Sequence, residues 1–489
     1  MAETTEAAAT ADEQAKRADR PSPKERVTWG KAARARVPLE AHADFRPAPS
    51  RDPVALLLRQ AETRVPELVP IRHGRMLVSP FTFYRGAAIV MADDLATTPT
   101  PGLRTQLCGD AHLSNFGAYA SPERRLVFDI NDFDETLPGP FEWDVKRLVA
   151  SFVVAGRDAG FRRKDSRRIA LTAVESYRTS MLEFAGQPIL TVWHMHIDVE
   201  TVLAQFRSGL NESARKRNRA RFEGTDAIVA KAHTRDSLQA VGKLITTTAG
   251  RRQIINDPPL IVPIDELSRY ASQVDPVALR SMIVGLLSTY RDTLQSDRRQ
   301  LLDHFSLTDI AHKVVGVGSV GTMAWILLLE SGFGNDALLL QAKQAQESVL
   351  AAYAGASQYV NQGERVVSGQ HLMQAASDIF LGWVRAPTLR GPDADFYIRQ
   401  LRDWKASAEL EQMDAVSFNR YARLCGWTLA RAHARSGDRF AIAAYLGKSN
   451  RFDNAIADFA ETYAEQNERD HAALAAAVAS GAVKARLRV

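Results

Sequence analysis

Two short segments concentrate carboxylate, amide and imidazole side chains. They are Cys108-Gly109-Asp110-Ala111-His112-Leu113-Ser114-Asn115 and Asp129-Ile130-Asn131-Asp132-Phe133-Asp134. An Asp with His two residues on and Asn five residues on, then Asp-Phe after a short apolar strand, supplies what phosphoryl transfer uses. Asp110 would orient or deprotonate an attacking hydroxyl, while Asn115 and Asp132 would hold Mg²⁺ on nucleotide phosphates. Hard oxygen ligands suit Mg²⁺, which binds few protein groups and keeps its waters and phosphates. Two acidic turns flanking a strand are each common in isolation. Their order and spacing carry the reading.

These segments resemble the catalytic and metal-binding loops of small-molecule kinases such as aminoglycoside and choline kinases. The pattern there is His-Gly-Asp-Leu-His-x-x-Asn, followed by Ile-Asp-Phe. The resemblance implies that Asp110 is the catalytic Asp, His112 the second His, and Asn115 and Asp132 the metal ligands. Cys108 stands where the pattern has its leading His. Asp144, in Gly139-Pro140-Phe141-Glu142-Trp143-Asp144, resembles the Gly-Asp-Pro-x-x-Asp motif that opens the next helix.

Further along, Gly316-Val317-Gly318-Ser319-Val320-Gly321 fits Gly-x-Gly-x-x-Gly, which serves dinucleotide folds and kinase phosphate loops alike. A dinucleotide unit would continue into an amphipathic helix. Here an apolar run, Met323 to Leu329, leads into hairpin-turn composition at Glu330-Ser331-Gly332-Phe333-Gly334-Asn335-Asp336, then Ala337 to Lys343. Strand, glycine turn, strand, hairpin and strand, with Lys343 at the end, resembles the kinase N-lobe. There the glycines let backbone approach phosphate and the lysine neutralises it. The resemblance also implies a helix Glu paired with Lys343: Glu364 first, Glu347 as the alternative. A tight β-turn at Gly316, Gly318 and Gly321 and a solvated edge-strand Lys343 are the plainer readings.

The glycine loop follows Asp110 by about two hundred residues, whereas in those kinases it comes first. Leu429-Ala430-Arg431-Ala432-His433-Ala434 looks like the Leu-Ala-x-Leu-His helix that normally leads into His-Gly-Asp, yet it lies near the C-terminus. One circular permutation accounts for both facts, and permutation is tolerated where termini lie at the surface. The expected fold is therefore α+β, protein-kinase-like and bilobal, circularly permuted, with a helical large lobe and a small antiparallel-sheet nucleotide lobe. The wider chain resembles a bacterial family known as domain of unknown function 2252, through Ser79 to Gly86, Gln374 to Asp378 and Ala432 to Asp438. That resemblance implies kinase-like membership and brings no substrate.

Several elements must position these loops. Residues 1–30 read as a disordered tail, 31–305 as the catalytic loops and helical region, 306–405 as the nucleotide-binding region and 406–489 as C-terminal helices. Ordered structure is expected from about Asp52-Pro53, with a strand or turn region over Met76 to Gly86. Val145, Leu148, Val149, Phe152 and Val153 form a core-facing helix stripe. A second helix begins at Asp165-Ser166, and the stretch from about 190 to 305 reads as helical. Short β-type runs follow at Val314 to Gly316, Trp325 to Leu329, Leu338 to Leu340, Phe380 to Val384 and Phe396 to Leu401, with a helix over Arg365 to Ala376. Phe418, Tyr421, Leu424, Cys425, Thr428, Leu429 and Ala432 share a last stripe, which Gly437 ends.

Bulk properties narrow the function classes. At 489 residues and 54.0 kDa the chain exceeds a single core. The net charge of +5 favours anionic ligands such as nucleotides without being a nucleic-acid signature. Cys108 and Cys425 are the only cysteines, so neither a disulfide framework nor a zinc spacing exists. The N-terminus lacks a signal-peptide core, and Val314 to Leu329 is too short and glycine-broken to span a membrane. A reducing, cytoplasmic setting is expected. The basic run Arg215, Lys216, Arg217, Arg219 and Arg221 reads as a solvated helix face, His194 and His196 as structural, and Cys108 as a buried small residue. Arg75 and Arg85 suit an anionic substrate or salt bridges equally.

The expected function is ATP- and Mg²⁺-dependent transfer to a small-molecule hydroxyl. A non-catalytic nucleotide-binding protein and nucleotidyl transfer from ATP are alternatives on the same fold. A dinucleotide-dependent oxidoreductase rests on Gly316 to Gly321 alone.

Overall fold

Apolar residues at helical spacing decide where the body of the molecule forms. In a computed structural model, the residues described are 21–208, 229–230, 242–248, 250–269, 276–314, 320–334, 336–387, 392–401, 404, 406–407 and 409–487. The expected stripe from Val145 to Val153 lies on a helix spanning Phe141–Asp158 that is buried on nearly every face, including Glu142, Asp144, Lys146 and Arg147. Helices Arg163–Ala185 and Ala415–Ser436 pack beside it. A Cβ on Gly426 would sit 2.2 Å from the Ala173 carbonyl oxygen, so these two helices meet backbone to backbone. The second of them ends at Gly437 as expected. The first starts at Arg163, two residues before the expected Asp165 cap.

Three local expectations are corrected. The expected tail of residues 1–30 ends early: a helix spans Pro23–Arg36, opened by a Ser22–Glu25 capping box with proline at its first position. It has too few large apolar residues to read as a core helix. Instead it docks through Gly30, where a Cβ would lie 2.1 Å from the Ala441 oxygen, and through Arg26 Nε donating to Asp438 at 2.8 Å. The aromatic run after Met76 forms a helix, Pro80–Gly86, because Ser79 and Pro80 cap it more strongly than Phe81 and Phe83 favour a strand. Within 190–305, strands appear among the helices. The basic run from Arg215 to Arg221 lies outside the described residues.

The strands, in chain order, are β1 Arg104–Leu107, β2 Phe116–Ala120, β3 Leu126–Ile130, β4 Leu137–Pro140, β5 Ile197–Asp198, β6 Ile245–Thr248, β7 Arg251–Ile254, β8 Ile261–Pro263, β9 Ser306–Lys313, β10 Ala324–Glu330, β11 Ala337–Ala345, β12 Gly382–Ala386, β13 Ala394–Gln400 and β14 Ala406–Ser407. The largest sheet has the order β12-β13-β11-β10-β9-β8, antiparallel throughout. β8 joins it from before the expected boundary at residue 306. Smaller sheets pair β1 with β4 and order β14-β2-β3-β5. The fold is mixed α+β with antiparallel sheets.

Both faces of the large sheet are covered, which is why β10 and β11 read as unbroken apolar runs rather than alternating ones. Leu327, Leu329, Leu338 and Leu340 pack with Leu279 and Ile283 of the helix Pro276–Asp292. On the opposite face Ile326, Leu328 and Leu339 pack with Leu244 and Ile254. Among the described residues no helix is long and apolar enough to cross a membrane.

Candidate active site

The loop after β1 is held tightly from behind. Gly109 has φ +83°, and a Cβ there would lie 2.2 Å from the Glu135 oxygen, so only glycine lets the two acidic loops touch. Asp144, in the first turn of its helix, accepts the Cys108 and Gly109 N–H groups at 2.8 and 3.0 Å. His433 Nε2 lies 3.3 Å from the same carboxylate, and its Nδ1 is 2.8 Å from the Tyr177 hydroxyl. Arg431, two residues earlier on that C-terminal helix, pairs with Asp129 at 2.5 Å and so anchors the second loop. One helix near the chain's end thus supports both loops near its beginning. Burial pushes the Cys108 thiol well up, with Asp144 adding to the effect, so it stays a protonated packing residue.

Asp110 has two distinct oxygens. Oδ1 accepts from Arg147 Nε at 2.8 Å and forms an ion pair with Nη2 at 2.7 Å, while Oδ2 lies 3.6 Å from His112 Nε2. The Arg147 side chain is 4% exposed and that of Asp110 18%, so the carboxylate reaches the cleft and its cation does not. Burial raises the Asp110 pKa, and Arg147 opposes the rise. Burial, with Arg85 and Arg147, holds His112 well below the ordinary imidazole range, leaving it neutral. Asn115 Nδ2 donates to the Asp110 carbonyl at 2.7 Å, which turns the amide oxygen away from that bond. The Asn131 N–H donates to the Asn115 carbonyl at 2.9 Å and ties the loops together.

Lys343 arrives on β11, opposite Ala324 of β10. Its ammonium pairs with Asp134, whose other oxygen accepts the Tyr397 hydroxyl at 2.8 Å. Lys343 is buried, and Asp134, Tyr397 and Asp132 together outweigh that burial and keep it protonated. The expected partner Glu364 is not the one it meets. The Glu364 N–H is capped by Asn361 at 3.1 Å, and the next residue, Arg365, faces the acidic loop instead. Arg365 donates to the carbonyls of Thr136, Asp134 and Gln346 at 2.6, 2.8 and 2.8 Å. Glu347, the alternative, lines the cleft beyond Asp134 without pairing with Lys343. A one-residue difference in which side chain faces the loop separates Glu364 from Arg365, and sequence spacing does not resolve it.

Val315, Gly316 and Gly318 lie outside the described residues. Gly321 has φ +94°, and its carbonyl accepts the Val65 N–H at 2.8 Å. The chain after it enters β10, not the helix that a dinucleotide unit requires.

Two chambers meet at these residues. One, about 500 Å³, is lined by Lys343, Gln341, Arg399 and Asn131; the other, about 430 Å³, by Asp110, His112, Asp134, Glu135 and Arg64. Arg85, Asn115 and Asp132 line both. No group of three His, Cys, Asp or Glu side chains among the described residues is arranged to hold a metal ion. A metal here would take the Asn115 amide oxygen and the Asp132 carboxylate, with the remaining positions filled by phosphate and water, a set that fits Mg²⁺. His196 Nδ1 is bonded to the His194 carbonyl at 2.9 Å.

A family model described as an uncharacterized protein conserved in bacteria (DUF2252) matches residues 64–477, a span that includes Asp110, Asn115, Asp132, Asp134, Lys343 and His433. The chain belongs to the DUF2252 family. Neither a curated protein nor a solved structure matches it.

In this DUF2252 chain the acidic loop continues into Glu135, which accepts the Val349 N–H at 2.7 Å. Burial pushes its carboxyl from 4.5 up to about 7, against the Val349 bond and Arg365, with Asp134 adding to the rise. A folded-state pKa above the unfolded one means the native state binds the extra proton. Stability from this group is complete below about 4.5 and is lost as pH rises through about 7. Denaturant titrations at several pH values should show that decline, and Glu135→Gln should flatten it. An unchanged slope in the variant would remove Glu135 as the cause.

Proposed function

We propose that this protein transfers the γ-phosphoryl group of ATP, with Mg²⁺, to a hydroxyl of a small molecule, on a circularly permuted kinase-like fold. The observation that carries the reading is the ion pair between Lys343 and Asp134, two residues past Asp132. It joins antiparallel strands and a lysine to an Asp–Asn–Asp constellation about two hundred residues earlier in the chain. The helix bearing Arg431 and His433 fits the same permutation, because it buttresses both loops from the far end of the sequence.

The chamber lined by Lys343, Gln341 and Arg399 suits the nucleotide, and the one lined by Asp110 and His112 the acceptor. Asn115 and Asp132, at their junction, would hold Mg²⁺, which when bound neutralises phosphate charge. Lys343, protonated, would exchange Asp134 for the nucleotide phosphates. Arg147 fixes Oδ1 of Asp110 and leaves Oδ2 to accept the proton of the attacking hydroxyl. The acceptor oxygen forms the new P–O bond, the bond to the β-phosphate breaks, and its electron pair leaves on ADP. Neutral His112, with its Nε2 3.6 Å from Oδ2, does not compete for that proton.

Calorimetric titration of the purified protein with ATP, with and without Mg²⁺, tests the reading. Mg²⁺-dependent binding is expected, and Asp132→Ala should weaken it by about tenfold or more. Absence of metal-dependent affinity in the wild-type protein would end the proposal. Release of ADP identifies phosphoryl transfer, whereas pyrophosphate release would identify nucleotidyl transfer.

A further inference from the structure

We propose that the acceptor chamber binds a hydroxy compound carrying a second, anionic group, phosphate or carboxylate, gripped by Arg64 and Arg85. The identity of the acceptor hydroxyl rests on the phosphotransfer reading; the anion site stands on its own geometry. Several buried arginines in this chain have carboxylate partners: Arg147 with Asp110, Arg51 with Asp94 and Asp470, Arg178 with Asp453, Arg431 with Asp129. Arg365 and Arg435, away from the cleft, donate their N–H groups to backbone carbonyls instead. Arg64 and Arg85, which line the cleft, and Arg72 have no such ion pair among the described residues. Arg64 is 7% exposed and donates to the Val320 carbonyl at 2.6 Å, but its buried Nε has no partner among the described residues. Arg85 Nε is likewise buried and unpartnered. Arg72, wholly buried behind them, donates to Gln60 and to the Gly86 carbonyl at 2.6 and 2.7 Å and adds like charge.

Burying a cation without a counter-ion is costly, so a site that keeps such groups beside a cleft is built to receive an anion. The carboxylates facing Arg64 are poor substitutes. Asp134 is committed to Lys343 and Tyr397, and Glu135 holds its proton up to about 7. Burial accordingly depresses the Arg64 guanidinium to about 10, with Glu135 and Asp134 only partly offsetting it. Arg85 faces Asp110 and Asp132, so an anion on these two arginines sits within the same chamber as the proton acceptor. Guanidinium pairs match the planar oxygens of carboxylate and phosphate.

Inorganic phosphate is the probe. Titrated into the full-length protein, alone and with saturating Mg²⁺ and ADP, it should bind saturably in both cases. Arg64→Gln should weaken that binding by about tenfold or more, Arg64→Lys less, with unchanged thermal unfolding showing that the variants fold. Glycerol 3-phosphate and glycerate should displace phosphate, the tighter of them naming the preferred anion, whereas glycerol and choline should not. Displacement by choline, no saturable binding, or binding untouched by Arg64→Gln would each overturn the proposal. Loss of phosphate binding on adding Mg²⁺ and ADP would assign the arginines to the nucleotide and overturn it too. Because phosphate binding is scored without nucleotide, its failure is distinct from a failure of Mg²⁺-dependent ATP affinity.

Discussion

Asp110→Asn is expected to slow phosphoryl transfer by about 10²–10⁴-fold while Mg²⁺-nucleotide affinity persists. The substitution keeps the size of the side chain and one oxygen to accept the Arg147 Nε bond, which measures 2.8 Å in the native site. It removes the basic Oδ2 that faces His112 and the cleft. Asp110→Ala is a poorer test, because it strands Arg147, buried with 4% exposure, without any counter-charge. Breaking such a pair from one side costs about 3–5 kcal/mol, and lost activity would then report unfolding. Single-turnover kinetics beside calorimetric binding separates the two effects. A variant that transfers at the wild-type rate would exclude Asp110 as the proton acceptor.

The largest stability effect is expected at Asp144. Its carboxylate is 1% exposed and satisfies two backbone N–H groups and His433 at once. Asp144→Ala leaves the buried Cys108 N–H, the half-buried Gly109 N–H and His433 unpaired at that oxygen pair, and should cost about 3–5 kcal/mol in urea unfolding of the nucleotide-free protein. Asp144→Asn should cost less, since its oxygen still accepts one N–H. The double variant with His433→Ala should be markedly non-additive, because the two groups share one network. A loss below about 1 kcal/mol for Asp144→Ala, the size of an ordinary substitution, would mean that the loop is held by something else.

The contrast between these residues shows how far primary structure can be read. Asp110, His112 and Asn115 lie within one turn of chain, so a loop after a strand brings them together almost regardless of the rest of the molecule. Ala324 to Glu330 and Ala337 to Ala345 were legible as a hairpin because apolar runs bounded by Gly332 and Gly334 have little else to become. The expectations for residues 1–30 and 76–86 came from composition, and the caps at Ser22 and Ser79 set helices there instead. The outcome there was decided by the surfaces the helices dock on, such as Ala441 against Gly30.

Partners across long separations followed a different logic. Spacing placed a cationic strand residue, Lys343, and a helix beginning near Glu364, but which side chain turned inward depended on how that helix docked. Arg365 faced the acidic loop, and Asp134 took Lys343. Arg147, Arg431 and Arg64 were given no role by the sequence, because an arginine reads as solvated until packing buries it. The chain alone therefore settled the chemical types in each loop and the strand–turn–strand order, since local backbone geometry acts over a few bonds. Packing settled which charges met, which stayed unpaired, and that a helix beginning at Ala415 buttresses a loop ending at Asn115. Those outcomes depend on burial and on contacts between distant segments, quantities that no stretch of sequence carries by itself.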